Sequence, residues 1–441
     1  MSPLRHFWSV SFITSLLLGV AAPARALQPL SEFLAGARRD NTDERAALLA
    51  AVQQEAEALA ALGRTLPVAT ARGVYTRNEF EAKIDPAEFG VSLPSGLGAT
   101  TLVIQPYNQF DGYFEVDVPL VDVAGWTRTR AAREGLAAAK SQAHATLLDV
   151  EKQVARNYYQ LIGAEALRDS ARRALDAALE DLALIRVRLG GGVATELDVD
   201  RAAAEVERAR ESISDAELTA ELSRRALRTL TGLTPTEDAI AAPDDLREEA
   251  PLEQWEGATE ELPSLVATID QRKSAEATAL AQRLSLLPKL TAAGLEHLTN
   301  APGFFGANSI WSITLTASWS IDLATFGNAR AQEAAAAVAK TKEAGARQAA
   351  LDQIHEAWFR VHNGIAKGAA TRAEATASAA AVHRARERYT QGTSTQLELM
   401  QAERDAFAAE VSRIQSDLDL SYARAVLRLA AGRPLDPETT P

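Results

Sequence analysis

Apolar and polar residues alternate along the segment from Ser309 to Asp322, strictly so from Trp311 onwards. A period of two predicts a β-strand with one apolar face and one small polar face. A strand of a soluble sandwich alternates in the same way, but about 12 residues with aromatic side chains near both ends favour an outer-membrane strand. The apolar set is Trp311, Ile313, Leu315, Ala317, Trp319 and Ile321, and the polar set is Ser312, Thr314, Thr316, Ser318 and Ser320.

The same alternation predicts a second strand from Phe110 to Asp122. Phe114, Val116, Val118 and Leu120 share one face of it, opposite Glu115 and Asp117. Val68 to Phe80 and Leu290 to Glu296 are weaker partner strands, and Glu81 to Gln109 and His297 to Asn308 carry the Gly, Pro and Asn residues of loops. We expect the aromatic residues Phe114, Trp311 and Trp319 to lie at a membrane interface.

Apolar residues spaced three and four apart dominate the rest of the chain. This spacing runs from Val150 to Leu189 and again from Val199 to Leu230, which predicts two very long helices packed as a coiled coil. A helix over the roughly 60 residues from Trp126 to Leu189 would be about 90 Å long. The same arrangement is expected for Gly327 to Tyr389 and a partner helix from Leu397.

The chain repeats itself at a displacement of 200 positions. Arg188, Gly192, Thr195, Leu197 and Ala202 return as Arg388, Gly392, Thr395, Leu397 and Ala402, and Asp122 and Gly232 return as Asp322 and Gly432. Repeats of about 20 to 50 residues would indicate a solenoid or a propeller, whereas this one has the length of a folding unit. The sequence therefore predicts a duplicated strand-strand-helix-helix unit.

Prolines, glycines and the repeat together set the expected boundaries of the segments. These are an export signal at 1–26, an N-terminal helix at 27–65 in which the helix itself covers Leu30 to Gly63, a first β-hairpin at 66–122, a first long helical hairpin at 123–233, a linker at 234–262, a connecting helix at 263–287, a second β-hairpin at 288–322, a second long helical hairpin at 323–432 and a C-terminal tail at 433–441.

Composition narrows the compartment and the chemistry. Arg5, an apolar stretch from Phe7 to Ala22 and the sequence Ala24-Arg25-Ala26 are typical of a cleaved export signal, although a membrane anchor is the alternative. The chain has no cysteine, which excludes disulfides and thiolate metal sites, and its net charge of -13 disfavours nucleic acid as a partner.

We find no catalytic constellation in the sequence. Gly190, Gly191 and Gly192 are not followed by the Lys-Ser or Lys-Thr of a phosphate loop. His355-Glu356 lacks the second histidine of a zinc-protease helix. We therefore expect neither an enzyme nor a cofactor or metal site.

The duplicated unit resembles the TolC family of outer-membrane efflux proteins. The resemblance rests on the strand ends Val118-Pro119-Leu120 and Ser320-Ile321-Asp322, which lead into helices, and on the turn Arg-x-x-x-Gly-x-x-Thr-x-Leu-(Asp/Glu) found at 188–198 and 388–398. It implies a mainly α fold with a β-barrel part, built as a homotrimer. Four strands in each chain are too few to close a barrel alone, so three chains would form one outer-membrane barrel of about 12 strands, continuous with a periplasmic barrel of about 12 long helices.

The resemblance also implies a function. The chain would be the passive exit duct of a tripartite efflux or type I secretion system, gated at its periplasmic helical tips. It would lie in the bacterial outer membrane, in contact with lipid, and extend into the periplasm. Its partners would be a periplasmic adaptor protein and an inner-membrane pump or ABC transporter. A soluble periplasmic coiled-coil scaffold without a pore is the alternative.

The glycine turns would form the hairpin tips. The expected tip and adaptor contacts are Arg188, Gly192, Thr195, Leu197, Arg388, Gly392, Thr395 and Leu397, with the two threonines able to cap the helices that follow. Asp198 and Glu398 would constrict the tunnel mouth, although acidic residues at a helix N-terminus are equally explained by the helix dipole. Some relatives have a basic residue where this chain has Ala194 and Ser394, which puts their polar contact between hairpins in doubt.

Overall fold

A computed structural model of the chain describes residues 27–84, 102–236, 246–303, 307–319 and 321–435. The expected export signal at 1–26, residues 237–245 of the expected linker, Ser320 and residues 436–441 of the tail lie outside the described residues.

Four antiparallel strands form one sheet. They are β1 (Val68–Arg77), β4 (Asn108–Val121), β5 (Lys289–Thr299) and β6 (Ser309–Ser318), in the order β1-β4-β5-β6. The two predicted hairpins therefore join into a single sheet through the pairing of β4 with β5. The strand prediction from Ser309 to Asp322 was too long at its C-terminal end, because β6 ends at Ser318.

The predicted loops contain additional strand structure. Within Glu81 to Gln109, the short strands β2 (Ala82–Ile84) and β3 (Leu102–Gln105) pair with each other. β5 continues past Glu296 as far as Thr299. Strands of three or four residues are too short to show the alternation on which the prediction relied, and their backbone pairing defines them.

One face of the sheet is apolar and exposed. Phe114 pairs with Glu296, and Glu296 pairs in turn with Trp311, so the three side chains lie in one row on the same face. Trp311 is 71% exposed and Ile313 is 77% exposed. Glu296 is a charged residue in this otherwise apolar face, where it accepts a hydrogen bond from Ser309. The alternation predicted for β4 and β6 is thus observed.

The predicted N-terminal helix is two helices, α1 (Leu30–Asp40) and α2 (Thr42–Gly63). Asn41 separates them because its backbone is extended and its Oδ1 accepts hydrogen bonds from the amides of Asp43 and Glu44, at 2.9 and 3.1 Å. This is an N-cap interaction, which ends one helix and starts the next. The expectation of one continuous helix from Leu30 to Gly63 was wrong at this residue.

Two hairpins of long helices make up most of the molecule. The helices are α3 (Val123–Gly190) and α4 (Glu196–Thr231) in the first hairpin, and α7 (Leu323–Thr390) and α8 (Gln396–Ala430) in the second. α3 and α7 have 68 residues each, which corresponds to about 100 Å. They begin and end 200 positions apart, and Asp122 and Asp322 cap them in the same way. The long helices predicted from apolar spacing are confirmed, and the repeat is a repeat of structure.

The segment between the hairpins is partly ordered into short helices. α5 (Glu253–Glu256) and a 3-10 turn (Thr259–Glu261) precede α6 (Pro263–Leu284). Trp255 is buried among Leu262, Leu265 and the α7 residues Ile354 and Val361. Part of the expected linker is therefore folded and packed on α7 through the buried Trp255. The polar composition of the linker did not predict this packing.

The helices lie side by side as a wall. α8 packs against both α3 and α7, and α4 packs against α3. In the part nearer the sheet, α2 packs against α3, and α6 packs against α3 and α7. α1 covers the middle of the first hairpin, where Phe33 and Leu34 pack on Val150, Val154 and Leu227. None of the helices in the described part of the chain is long and apolar enough to cross a membrane.

Candidate functional site at the hairpin tips

Two matching turns close the hairpins. Gly192 and Gly392 both have a left-handed backbone, with φ of +73° and +72°. Val193 donates its amide hydrogen to the carbonyl of Arg188, and Thr393 donates to that of Arg388, at 3.0 and 2.9 Å. This pattern satisfies the last carbonyls of a helix and requires a residue that tolerates positive φ. The repeated glycines are therefore explained by the turn itself.

Each returning helix starts with a capping box. Asp198 donates its amide to the Thr195 Oγ1, and its carboxylate accepts the Thr195 amide at 3.0 Å. Thr395 and Glu398 repeat the arrangement. Such reciprocal bonds satisfy amides that a helix N-terminus leaves unpaired. The expectation that the two threonines cap α4 and α8 is confirmed.

The acidic residues of the tips are held by these caps. The backbone hydrogen bond from Thr195 is the main reason why the pKa of Asp198 is lowered, and a hydrogen bond from Ser394 is the main cause of the lowered pKa of Glu398. Both carboxylates thus favour the ionised state. This geometry agrees with the helix-cap explanation, and a role of Asp198 and Glu398 as a tunnel constriction stays a prediction.

The tip of the first hairpin touches the second hairpin. The Arg188 guanidinium lies 4.1 Å from the centroid of the Tyr389 ring and donates to the Tyr389 carbonyl at 3.5 Å. Gln396 donates its side-chain amide to the Asp198 carbonyl at 3.0 Å. Arg388, the repeat equivalent of Arg188, instead donates to Thr393 of its own turn. Equivalent residues of the two copies therefore have different partners.

Leucines flank these contacts on the surface. Leu197 and Leu397 are both exposed, as is Val193 beside the first turn. Small polar turns and exposed leucines at the far end of long helices give a surface that a partner protein can reach. Contact of these residues with an adaptor remains a prediction.

Further from the turns, a charged group of three side chains, here named the inter-hairpin triad, joins the hairpins. It consists of Asp181 on α3, Arg386 on α7 and Glu403 on α8. Beside it, Arg404 of α8 contacts Glu205 of α4. The two hairpins are thus joined by polar contacts at positions other than Ala194 and Ser394. Sequence reasoning missed them because none belongs to the repeated turn motif.

The expected interface aromatics lie at the two ends of β6. Trp311 is near its start, on the same face as Phe114, and Trp319 follows its last residue. The Trp319 indole donates to the Leu286 carbonyl at 2.7 Å. In the described ranges no cluster of three or more His, Cys, Asp or Glu residues could hold a metal ion.

The chain combines an antiparallel sheet, whose strands have the length of membrane strands, with two long helical hairpins. This is the subunit architecture of an outer-membrane channel. The family model described as outer membrane efflux protein matches residues 90–233 and 256–433. The chain therefore belongs to the outer membrane efflux protein family. A comparison with curated protein sequences finds no significant match.

Solved outer-membrane channels share the fold. The chain is similar to the CmeC channel of Campylobacter jejuni, with 16% identity, a TM-score of 0.79 and coverage of 98% of this chain and 94% of CmeC. It is similar to the channel OprN, with 21% identity, a TM-score of 0.78 and coverage of 92% and 90%. It is also similar to the open state of the MtrE channel of Neisseria gonorrhoeae, with 21% identity, a TM-score of 0.74 and coverage of 94% of this chain and 92% of MtrE.

Proposed function

We propose that three copies of this chain form the outer-membrane exit duct of a tripartite efflux or type I secretion system. The observation that carries the proposal is the sheet, which has four strands of 10 to 14 residues and two outer edges formed by β1 and β6. About 9 to 11 residues cross a bilayer as a tilted strand. Unpaired edges are costly in hydrocarbon, and pairing β1 of one copy with β6 of the next removes them.

The helical wall supports the same assembly. On α2, Leu48, Leu49, Val52 and Leu59 are exposed, and on α4 so are Leu218 and Leu222. α2 and α4 form one edge of the wall and α7 forms the other. Rows of exposed leucines on an edge helix favour burial against a neighbouring copy. Three walls joined edge to edge would enclose a tunnel.

Transport through such a tunnel needs no chemistry in the chain itself. Selection among transported molecules would depend on the width of the tunnel and on its electrostatic field. A periplasmic adaptor would bind the tips at Leu197 and Leu397, and an inner-membrane pump or ABC transporter would supply the energy. In this proposal Asp198 and Glu398 narrow the periplasmic mouth, and the contacts between the hairpins keep the mouth closed. Family membership and the exposed tips support this assignment.

Membrane insertion tests the proposal through a matched pair of variants on neighbouring positions of β6. Ile313→Arg places a charge on the apolar face, where arginine at the bilayer midplane costs about 2–4 kcal/mol. Thr314→Arg places the same charge on the polar face, in the row of Asp117. We expect Ile313→Arg to abolish recovery of a detergent-extracted trimer from outer membranes, and Thr314→Arg to leave it intact.

The scaffold alternative makes the opposite prediction. A soluble periplasmic protein would leave the cell with the periplasmic fraction without detergent, and the two arginine variants would behave alike. That result would contradict the exit duct. Conductance of the purified wild-type trimer in planar bilayers then completes the test, because a scaffold gives none.

A further inference from the structure

The inter-hairpin triad contains two acids and one base. The Arg386 Nη2 lies 2.7 Å from the Glu403 carboxyl and 3.7 Å from the Asp181 carboxyl. Both carboxyl groups therefore face the same guanidinium. Two carboxylates that share one site disfavour each other's ionised form, so this arrangement favours one bound proton.

The surroundings disfavour a second negative charge. The Asp181 and Glu403 side chains are only 18% and 23% exposed. The small cavity beside them is lined mainly by apolar side chains, namely Ala178, Ile185, Ala202, Leu399 and Met400. Burial of charge in such a place is costly unless it is paired.

Other charged groups lie near the triad. α3 adds Glu180, α4 adds Glu205 and α8 adds Arg404, while Tyr389 of α7 lines the same small cavity. Glu205 is already paired with Arg208 and Arg404. Arg386 is thus the cation that pairs with both Asp181 and Glu403. Its Nε is buried and has no hydrogen-bond partner among the described residues. One guanidinium cannot neutralise two carboxylates.

The titration of Glu403 follows from this arrangement. Burial raises its pKa to about 7, the nearby Asp181 adds to the rise, and the hydrogen bond from Arg386 opposes it.

We propose that Glu403 binds one proton beside Asp181 while the two hairpins are in contact, and that release of this proton lets the hairpin tips separate. The inference rests on the proposed function, in which these tips close the periplasmic mouth. With the proton bound, the triad has no net charge. Without it, the triad is an anion in an apolar pocket beside Glu180 and Glu205. The periplasmic mouth would then respond to acidity.

The direction of the effect follows from linkage. Glu403 has a higher pKa in contact than its ordinary value of 4.5. The stabilisation from the proton is therefore fully present below pH 4.5 and is lost as the pH rises through about 7. Acid conditions favour the closed mouth, and neutral conditions favour opening.

Planar-bilayer recording of the purified trimer tests the proposal. We expect the open probability of the wild-type channel to rise between pH ~5 and ~7 on the side of the tips, by at most about tenfold per pH unit for each proton released, and to level off above. Glu403→Gln carries a permanently neutral amide of similar size at this position. It should stay mostly closed without a pH step.

Two further variants complete the design. Asp181→Asn removes the repulsion between the acids, so its pH step should move to lower pH even if Glu403→Gln fails to assemble. Glu207→Gln changes an exposed glutamate of α4 that pairs only with Arg210 among the described residues, and it should keep the wild-type curve. A pH step that persists unchanged in Glu403→Gln and Asp181→Asn, or a wild-type channel with no step, overturns the proposal and leaves the duct intact. A wild-type protein that never conducts overturns the duct and this inference together.

Discussion

Replacing Arg188 with alanine should make the channel open more readily. Arg188 belongs to the first hairpin, yet its guanidinium lies over the ring of Tyr389 in the second hairpin, 4.1 Å from the centroid. Tyr389 is only 7% exposed, so the contact is largely shielded from solvent. If contact between the hairpins closes the mouth, loss of this contact shifts the equilibrium towards the open state.

The size of the shift can be derived from the contact. A cation–π interaction contributes about 0.5–1 kcal/mol at an exposed site and about 2 kcal/mol when desolvated, so ~1 kcal/mol is reasonable here. The hydrogen bond from Arg188 to the Tyr389 carbonyl, at 3.5 Å, adds little. A loss of ~1 kcal/mol raises the open-to-closed ratio about fivefold if each chain acts alone. If three chains open together, the loss of ~3 kcal/mol raises it by about 150-fold.

The repeat provides the control for this experiment. Arg388 occupies the equivalent position but donates within its own turn, to Thr393 at 3.4 Å, and among the described residues it makes no hydrogen bond to the first hairpin. Single-channel recordings at fixed pH should therefore show a higher open probability for Arg188→Ala and little change for Arg388→Ala. Tyr389→Leu should reproduce the Arg188→Ala effect, and the double variant should add little to either. Equal effects of the two arginine variants would refute the reasoning, since only the contact between hairpins distinguishes them.

Three further outcomes are expected from the turns and caps. Gly192→Ala should lower the stability of the first hairpin by about 1–2 kcal/mol because φ is +73° there, whereas Gly191→Ala should be tolerated at φ of -85°, as chemical unfolding can check. Gly36→Ala should weaken the packing of α1 by about 1–3 kcal/mol, because a Cβ would lie 2.7 Å from the Thr231 carbonyl. Limited proteolysis should detect this change, and it should detect none in the control Gly63→Ala, whose Cβ would meet no atom within 4 Å. The ionised Asp198 carboxylate stabilises the cap of α4, and its pKa is lowered by the cap. The stabilisation is therefore present above the ordinary pKa of 3.8 and is lost as the pH falls below it. Amide exchange in the first turn of α4 should then accelerate in the wild type more than in Asp198→Asn.

Much of the fold was predictable from local sequence patterns. Apolar spacing over Trp126 to Leu189 predicted a helix that runs from Val123 to Gly190, and alternation predicted β6 from its first residue. The capping roles of Thr195 and Thr395 were also accessible, since a cap depends on residues within one turn. The break at Asn41 was missed because Ala and Leu continue on both sides of it, although Asn41 followed by Glu44 three residues later is itself a helix-start signal. The contact of Asn41 with the end of α4 could not be read from the sequence.

The inter-hairpin contacts were inaccessible for a different reason. Residues that repeat build each hairpin, because the same turn and the same cap are needed twice. The two arginines that join the hairpins, Arg188 and Arg386, are repeated as Arg388 and Arg186, but their partners sit where the two copies differ: Leu189 stands opposite Tyr389 in the repeat, Ala203 opposite Glu403, and Ala381 opposite Asp181. Because each partner residue is present in one copy only, comparing the two copies does not reveal these contacts. The turn motif is the same in both copies, and it contains neither the ring that receives Arg188 nor the acids that contact Arg386.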